Sequence, residues 1–290
     1  MQPIIQARGL SKRYGNHQAL NQVTFDIAPG RIVGLIGPNG AGKTTALKGI
    51  LGLAEVEGEL NVLGMNPVQQ RRELLEQVSF IADTAILPRW LKVSEALEYV
   101  AAVHPRFNRA KAQAFLEKTK IKPNAKVSSL SKGMITQLHL SLIMAIDSKL
   151  LVLDEPTLGL DILYRKQFYT SLLNDYFDEE KTILITTHQV EEIETILTDL
   201  VFINAGELVL NVAMEDVPER FVEVHINKPQ QAEAAALNPI HVSPRLGGFS
   251  AIYENAERTQ LEALGSLHTP SITDLFVAKI QPNLAWGHTQ

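Results

Sequence analysis

The apolar positions of this chain follow two different periods. Short runs such as "RIVGLIG" (31–37), "KLLVLDEP" (149–156) and "KTILITTH" (181–188) are apolar almost throughout and stop at glycine, proline or polar residues, as buried strands do. Between them lie stretches with helical spacing. "KTTALKGILGL" (43–53) sets Leu47, Ile50 and Leu51 on one side. The same spacing predicts helices over "RAKAQAFLEKTK" (109–120), from Lys132 to about Ile146, over "ILYRKQFYTSLLNDYF" (162–177) and over "VEEIETIL" (190–197). Ser94 stands where it can cap a helix running through Ala96, Leu97 and Val100. Strands alternating with helices in this order predict an α/β fold with a largely parallel sheet.

Both ends depart from that pattern. Residues 1–30 read as short strands with turns: "IIQARGL", "YGNH" and "ALNQVTFDIAPG". After "DLVFINAGELVLN" (199–211) come "RFVEVHIN", the alanine-rich "PQQAEAAAL", a turn at Gly247 and Gly248, "FSAIYE" and a helical "RTQLEALG". These predict a small α+β appendage, with the tail "QPNLAWGHTQ" expected to fray.

Composition narrows the picture. Of 290 residues, 45% are hydrophobic and 20% charged, which suits a globular protein with a sizeable core. The net charge of −5 argues against a nucleic-acid surface, which is usually basic. The absence of cysteine excludes disulfides, thiolate catalysis and Cys-ligated metals. The N-terminus has no apolar leader segment, and no run approaches the roughly 18 apolar residues that span a bilayer. The richest patch, "LHLSLIMAI" (138–146), is better read as a buried helix.

Candidate chemistry centres on "GLIGPNGAGKTT" (34–45). It fills the pattern GxxxxGK followed by Ser or Thr, and it lies between a predicted strand and a predicted helix. Gly37, Pro38, Asn39, Gly40, Ala41 and Gly42 would form a loop around a phosphate, its glycines letting backbone N–H groups converge there, with the positive end of the helix behind them. Lys43 would pair with β- and γ-phosphate oxygens, and Thr44, beside Thr45, would ligate Mg²⁺. The apolar run 150–153 then delivers Asp154 and Glu155 to the C-terminal end of a strand, where such sheets bind ligands. Asp154 would hold Mg²⁺, and Glu155 would orient or deprotonate an attacking water. Other nucleotide enzymes fit less well. The nearest stretch to a guanine-reading NKxD is "NKPQ" (227–230), which lacks the acid, and no arginine-rich lid of a small-molecule kinase is present.

Leu130, Ser131, Lys132, Gly133 and Met134 in "SSLSKGMITQ" resemble the LSGGQ signature of ABC (ATP-binding-cassette) transporter ATP-binding subunits. The resemblance covers about residues 1–215. It implies a P-loop NTPase fold of ABC type with a helical subdomain at about 84–146, an N-terminal antiparallel β part, and a C-terminal accessory domain over 216–290. It implies ATP and Mg²⁺ as ligands, and ATP clamped between two chains, so that Ser131 and Gly133 close over a nucleotide held by the partner. Tyr14 matches the aromatic residue that stacks on adenine, although a tyrosine before glycine also serves turn packing. Asp161 in "TLGLD" matches the D-loop acid, and His188 matches the switch residue that reaches the γ-phosphate.

The chain departs from the family at several positions. Where the family usually has the Q-loop glutamine, Asp83 stands, forty residues after Lys43. It could hold Mg²⁺ or the attacking water, or be an ordinary loop aspartate, but it cannot donate an amide hydrogen bond. Lys132 and Met134 replace glycine and glutamine of the signature. Ile86, Leu87, Trp90 and Leu91 either form a groove for a membrane subunit or pack the subdomain's own core. The family implies a second copy or paralogue, a separate transmembrane permease, no nucleic-acid partner, and a cytoplasmic place on the inner face of the membrane. Single-cassette subunits with a short appendage suggest export of drugs or peptide antibiotics. The alternative is a regulator or a ribosome- or DNA-associated ATPase, against which stand the single cassette and the lack of a coiled-coil insertion.

Overall fold

Tyr14 and His17 face each other across a two-residue turn, Gly15 and Asn16, and that turn sets the first hairpin. A computed structural model describes residues 2–82 and 87–281. The hairpin consists of β1 (Ile5–Tyr14) and β2 (His17–Ile27). β3 (Ile32–Ile36) follows, and β4 (Glu57–Val62) returns to β1, giving an antiparallel sheet in the order β2-β1-β4. The predicted N-terminal antiparallel part is therefore present, with longer strands than the sequence pattern implied.

The main sheet adds β5 (Val78–Ile81), β6 (Leu150–Asp154), β7 (Thr182–Thr187), β8 (Asp199–Asn204) and β9 (Glu207–Ala213). Its order is β5-β6-β7-β3-β8-β9, parallel except for the last pair. β3, β6 and β7 are buried at every position, which is why their sequences do not alternate. Successive side chains go to opposite faces. Ile32, Ile36, Leu151, Leu153, Ile183 and Ile185 join one core. Val33, Leu35, Leu150, Val152 and Leu184 join another, shared with helix Lys43–Ile50 and the N-terminal sheet.

Helices Val93–Val103, Arg109–Glu117 and Lys132–Ile143 enclose a core of their own, including Leu97, Leu116, Leu138 and Leu142. The cap of the first differs from expectation. Lys92 is the N-cap, and the Glu95 carboxylate accepts from its backbone N–H at 2.8 Å. The Ser94 N–H instead donates to the Pro123 carbonyl, at 2.9 Å. Leu87 and Leu91 pack on this core, whereas Trp90 is 73% exposed; Ile86 lies outside the described residues. Among the described residues, no helix is long and apolar enough to cross a membrane.

Two predicted helices leave the α form. The fourth stops at Ser171 and continues as a π-helical turn, Leu172–Tyr176. Residues 190–197 form two 3-10 turns, Val190–Glu192 and Glu194–Ile196. Val190, Ile193 and Ile196, all buried, recur every three residues, which suits a 3-10 repeat, and their β-branching disfavours an α-helix.

The C-terminal part contains β10 (Phe221–Asn227), β11 (His241–Arg245), β12 (Gly248–Glu254) and β13 (Gly265–His268), an antiparallel sheet in the order β11-β12-β10-β13. With helices Gln231–Ala236 and Arg258–Glu262 between strands, this is a split-βαβ, ferredoxin-like arrangement. It has a separate core around Val224, Ala251 and Tyr253. The last helix, Ile272–Ile280, does something else: Ile272 and Leu275 enter the core of the main sheet, and Phe276 meets Phe202 edge-on at 5.3 Å. We expect Leu275→Ala to lower stability by about 2–5 kcal/mol, read as a shift of the urea midpoint.

Candidate functional site

Parallel pairing brings three strand ends to one level. Ile36 stands opposite Thr187, and Asp154 opposite Thr186. The phosphate loop follows Ile36, Glu155 follows Asp154, and His188 follows Thr187. The first two of these ends border a cavity of about 270 Å³ lined by Tyr14, His17, Ala19, Asn39 to Thr45, Asp154 and Glu155, and His188 reaches it through its contact with Glu155.

The loop's shape depends on its glycines. Gly42 has φ +108°, and a Cβ there would lie 2.4 Å from the Ala19 carbonyl oxygen. A Cβ on Gly37 would lie 2.2 Å from the Ile203 oxygen. Helix Lys43–Ile50 starts directly behind, with Gly42 as its N-cap, a residue with no side chain to cover the first N–H groups. Lys43 is 7% exposed, and its ammonium donates to the Gly37 and Pro38 carbonyls at 2.6 and 3.2 Å. Burial holds its pKa below the usual lysine value, against the pull of Glu155 and Asp154. A buried cation served by neutral carbonyls is well placed to receive an anion.

Asp154 is 6% exposed. Thr186 Oγ1 donates to one carboxylate oxygen at 2.5 Å, and Thr44 Oγ1 stands 3.4 Å from the other. Glu155 has φ +49°, a conformation that strains a non-glycine residue by about 1–3 kcal/mol. Its N–H is shared between the Thr186 carbonyl (3.1 Å) and hydroxyl (3.3 Å), and His188 Nδ1 lies 2.9 Å from its Oε1. Tyr14 is 47% exposed beside the cavity, with the Lys12 ammonium 5.4 Å from its ring centre.

The remaining candidates lie elsewhere. Ser131 caps helix Lys132–Ile143, accepting from the Met134 N–H at 3.2 Å. Gly133 sits against the D-loop of the same chain; a Cβ there would be 3.8 Å from Leu160. Asp161 caps the next helix, accepting from Leu163 and Tyr164 N–H groups at 3.0 and 3.1 Å. Ser131, Gly133 and Asp161 are not among the residues lining this cavity. Asp83 lies outside the described residues. His17 and Thr186 were not singled out from the sequence. The turn "YGNH", which sets residue 17 opposite Tyr14, was the available signal for the first; nothing local marks Thr186 as a partner of Asp154.

A family model described as ABC transporter matches residues 20–158. Nod factor export ATP-binding protein I of Burkholderia orbicola (strain AU 1054) is 36% identical over 232 residues, which is 77% of this chain and 73% of that protein. The chain belongs to the ABC transporter family. As the ATP-binding subunit of such a transporter it is an ATPase. The ABC transporter ATP-binding protein YdbJ of Bacillus subtilis (strain 168), described as uncharacterized, is 29% identical over 236 residues, covering 80% of this chain and 77% of that one. A solved ATP-binding subunit of an ABC transporter superposes with a TM-score of 0.67 at 26% identity, covering 74% of this chain and 92% of that one. The ABC fold thus accounts for the parallel sheet and its cavity.

In this ABC ATPase, Thr186→Val removes a donor from a buried carboxylate. We expect a loss of about 1–3 kcal/mol, read by thermal unfolding, with Thr186→Ser close to the parent.

Proposed function

We propose that the chain powers transport through a separate membrane permease, with ATP held first by its own phosphate loop and then between two copies. The observation that carries this is the meeting of Lys43, Thr44, Asp154, Glu155 and His188 at one edge of the sheet, while Ser131 and Gly133 stand apart. A signature outside the cavity, at the N-terminus of a twelve-residue helix, is suited to cap a nucleotide bound by another copy. The working dimer pairs this chain with itself or with a paralogue.

Each residue has a role that its surroundings support. The N–H groups of the loop after Pro38 and the Lys43 ammonium take the phosphate oxygens, replacing two neutral carbonyls with anions. Tyr14 stacks on the base. Thr44 and Asp154, both oxygen donors, suit a hard divalent cation and would hold Mg²⁺. When bound, Mg²⁺ neutralises charge on the phosphates. Glu155 accepts the proton of the attacking water, and His188, 2.9 Å from its Oε1, holds that carboxylate in place. Asp161 shapes the D-loop by capping the helix after it. Asp83, at the Q-loop position, would contact the metal ion or the water.

The division we propose is a nucleotide-binding part over residues 1–215, with its helical subdomain at about 84–146, and an accessory part over 216–290. The subunit would work on the cytoplasmic face of the membrane. The name of the Burkholderia relative favours export over import. A drug or a peptide antibiotic as cargo rests on the chain's form, one cassette with a short appendage.

Two measurements test this. Affinity purification from detergent-solubilised membranes should bring along a spanning chain; an active ATPase with no such partner would refute the transport role. Glu155→Gln should keep ATP binding, lower turnover by about 10²–10⁴-fold and accumulate an ATP-bound dimer on size exclusion. Unchanged hydrolysis would remove Glu155 as the base.

A further inference from the structure

The turn between Glu155 and helix Ile162–Ser171 lies between two cationic side chains. Gly159, at φ +84°, lies under Lys132 of the signature: the place where its Cβ would be is 2.8 Å from Lys132 Cε and 3.0 Å from Nζ. On the other side, Arg165 Nε donates to the Leu160 carbonyl at 2.8 Å. The same guanidinium reaches Gln189 Oε1 at 2.5 Å and pairs with the Glu192 carboxylate. Gln189 is the residue after His188, and its N–H is fixed on the Thr187 hydroxyl at 2.9 Å. One planar fork therefore joins the D-loop turn to the segment that carries His188.

The surroundings make this link stiff. The Arg165 and Glu192 side chains are 20% and 27% exposed, so the pair is mostly shielded from water. Among the described residues Glu192 Oε2 is buried with no hydrogen-bond partner, and Arg165 is the cation paired with that carboxylate. The segment beyond is pinned by Val190, Ile193 and Ile196 in the core. A shift of the D-loop turn must then move Arg165, and Arg165 must either carry Gln189 with it or break a shielded ion pair.

We propose that Arg165 is a positioning residue for hydrolysis: it sets His188, and through it the Glu155 carboxylate, according to the placement of the D-loop turn. Its role rests on the assignment of Glu155 and His188 proposed above. No contact of Arg165 with the nucleotide is involved. ATP affinity should therefore be nearly independent of it, while turnover depends on it. Lysine cannot replace it, because one ammonium lacks the guanidinium's planar fork and cannot hold the Leu160 carbonyl and the Glu192 carboxylate together in the same geometry.

The test compares Arg165→Lys, Arg165→Ala, the double variant Arg165→Ala with Glu192→Gln, and Glu155→Gln, in the full chain with magnesium and ATP. Arg165→Lys and the double variant avoid an uncompensated buried carboxylate, so both should melt close to the parent. Both should still show kcat lower by about ten- to a hundred-fold, with KM and ATP binding within about two-fold, the pattern of a misplaced catalytic group. Either variant melting like the parent and turning over at the parent kcat makes Arg165 merely structural and overturns the proposal. A loss of ATP affinity matching the loss of rate would overturn it as well. Glu155→Gln separates the two levels: if it hydrolyses normally, the assignment of the base fails, and Arg165's role with it. If it is silent while Arg165→Lys is fully active, only the role of Arg165 fails.

Discussion

The alignment of Asp154 with Thr186, and of Thr187 with Ile36, on paired parallel strands decides where every charged group of this site can stand. Strands buried on both faces have no polar side on which to carry chemistry. Their polar residues must come at the ends. The register makes those ends coincide, so a loop after one strand, two carboxylates after the next and a histidine after a third share one rim. A slip of a single residue would turn Asp154 to the other face and send Thr186 away from it.

That rim concentrates groups that would be unfavourable elsewhere. Lys43 and Asp154 are almost wholly buried, and Glu155 occupies a strained backbone conformation. Each is tolerated because a neighbour holds it: two loop carbonyls for Lys43, the Thr186 hydroxyl for Asp154, the Thr186 backbone and His188 for Glu155. The shared dependence on Thr186 links Asp154 and Glu155, the proposed metal ligand and the proposed base, through one side chain and its own carbonyl.

Much of this was legible in the sequence because it is contiguous there. Residues 37–45 carry the whole loop, and 150–155 carry both the strand and its acids, so local order sufficed. The same holds for the α/β pattern, the β-rich start and the α+β end. What escaped was relational. His17, Thr186 and Arg165 matter through partners far along the chain or across a turn, and no spacing rule exposes such partners. Secondary structure went astray where apolar spacing was ambiguous: Val190, Ile193 and Ile196 suit either a helix face or a 3-10 repeat, and β-branching with core anchoring selected the latter. Ser94 missed its cap because Glu95 closes the first turn two residues earlier, on Lys92.

The final helix crosses back from the ferredoxin-like part to plug the main sheet with Ile272, Leu275 and Phe276. The two parts are separable on paper, by sheet, but not by scissors. A fragment ending near residue 215 would leave an apolar hollow open to water on the face of its sheet, and such hollows favour self-association. Any swap of the appendage between related subunits would therefore have to carry this helix, or a replacement of matching shape, along with it.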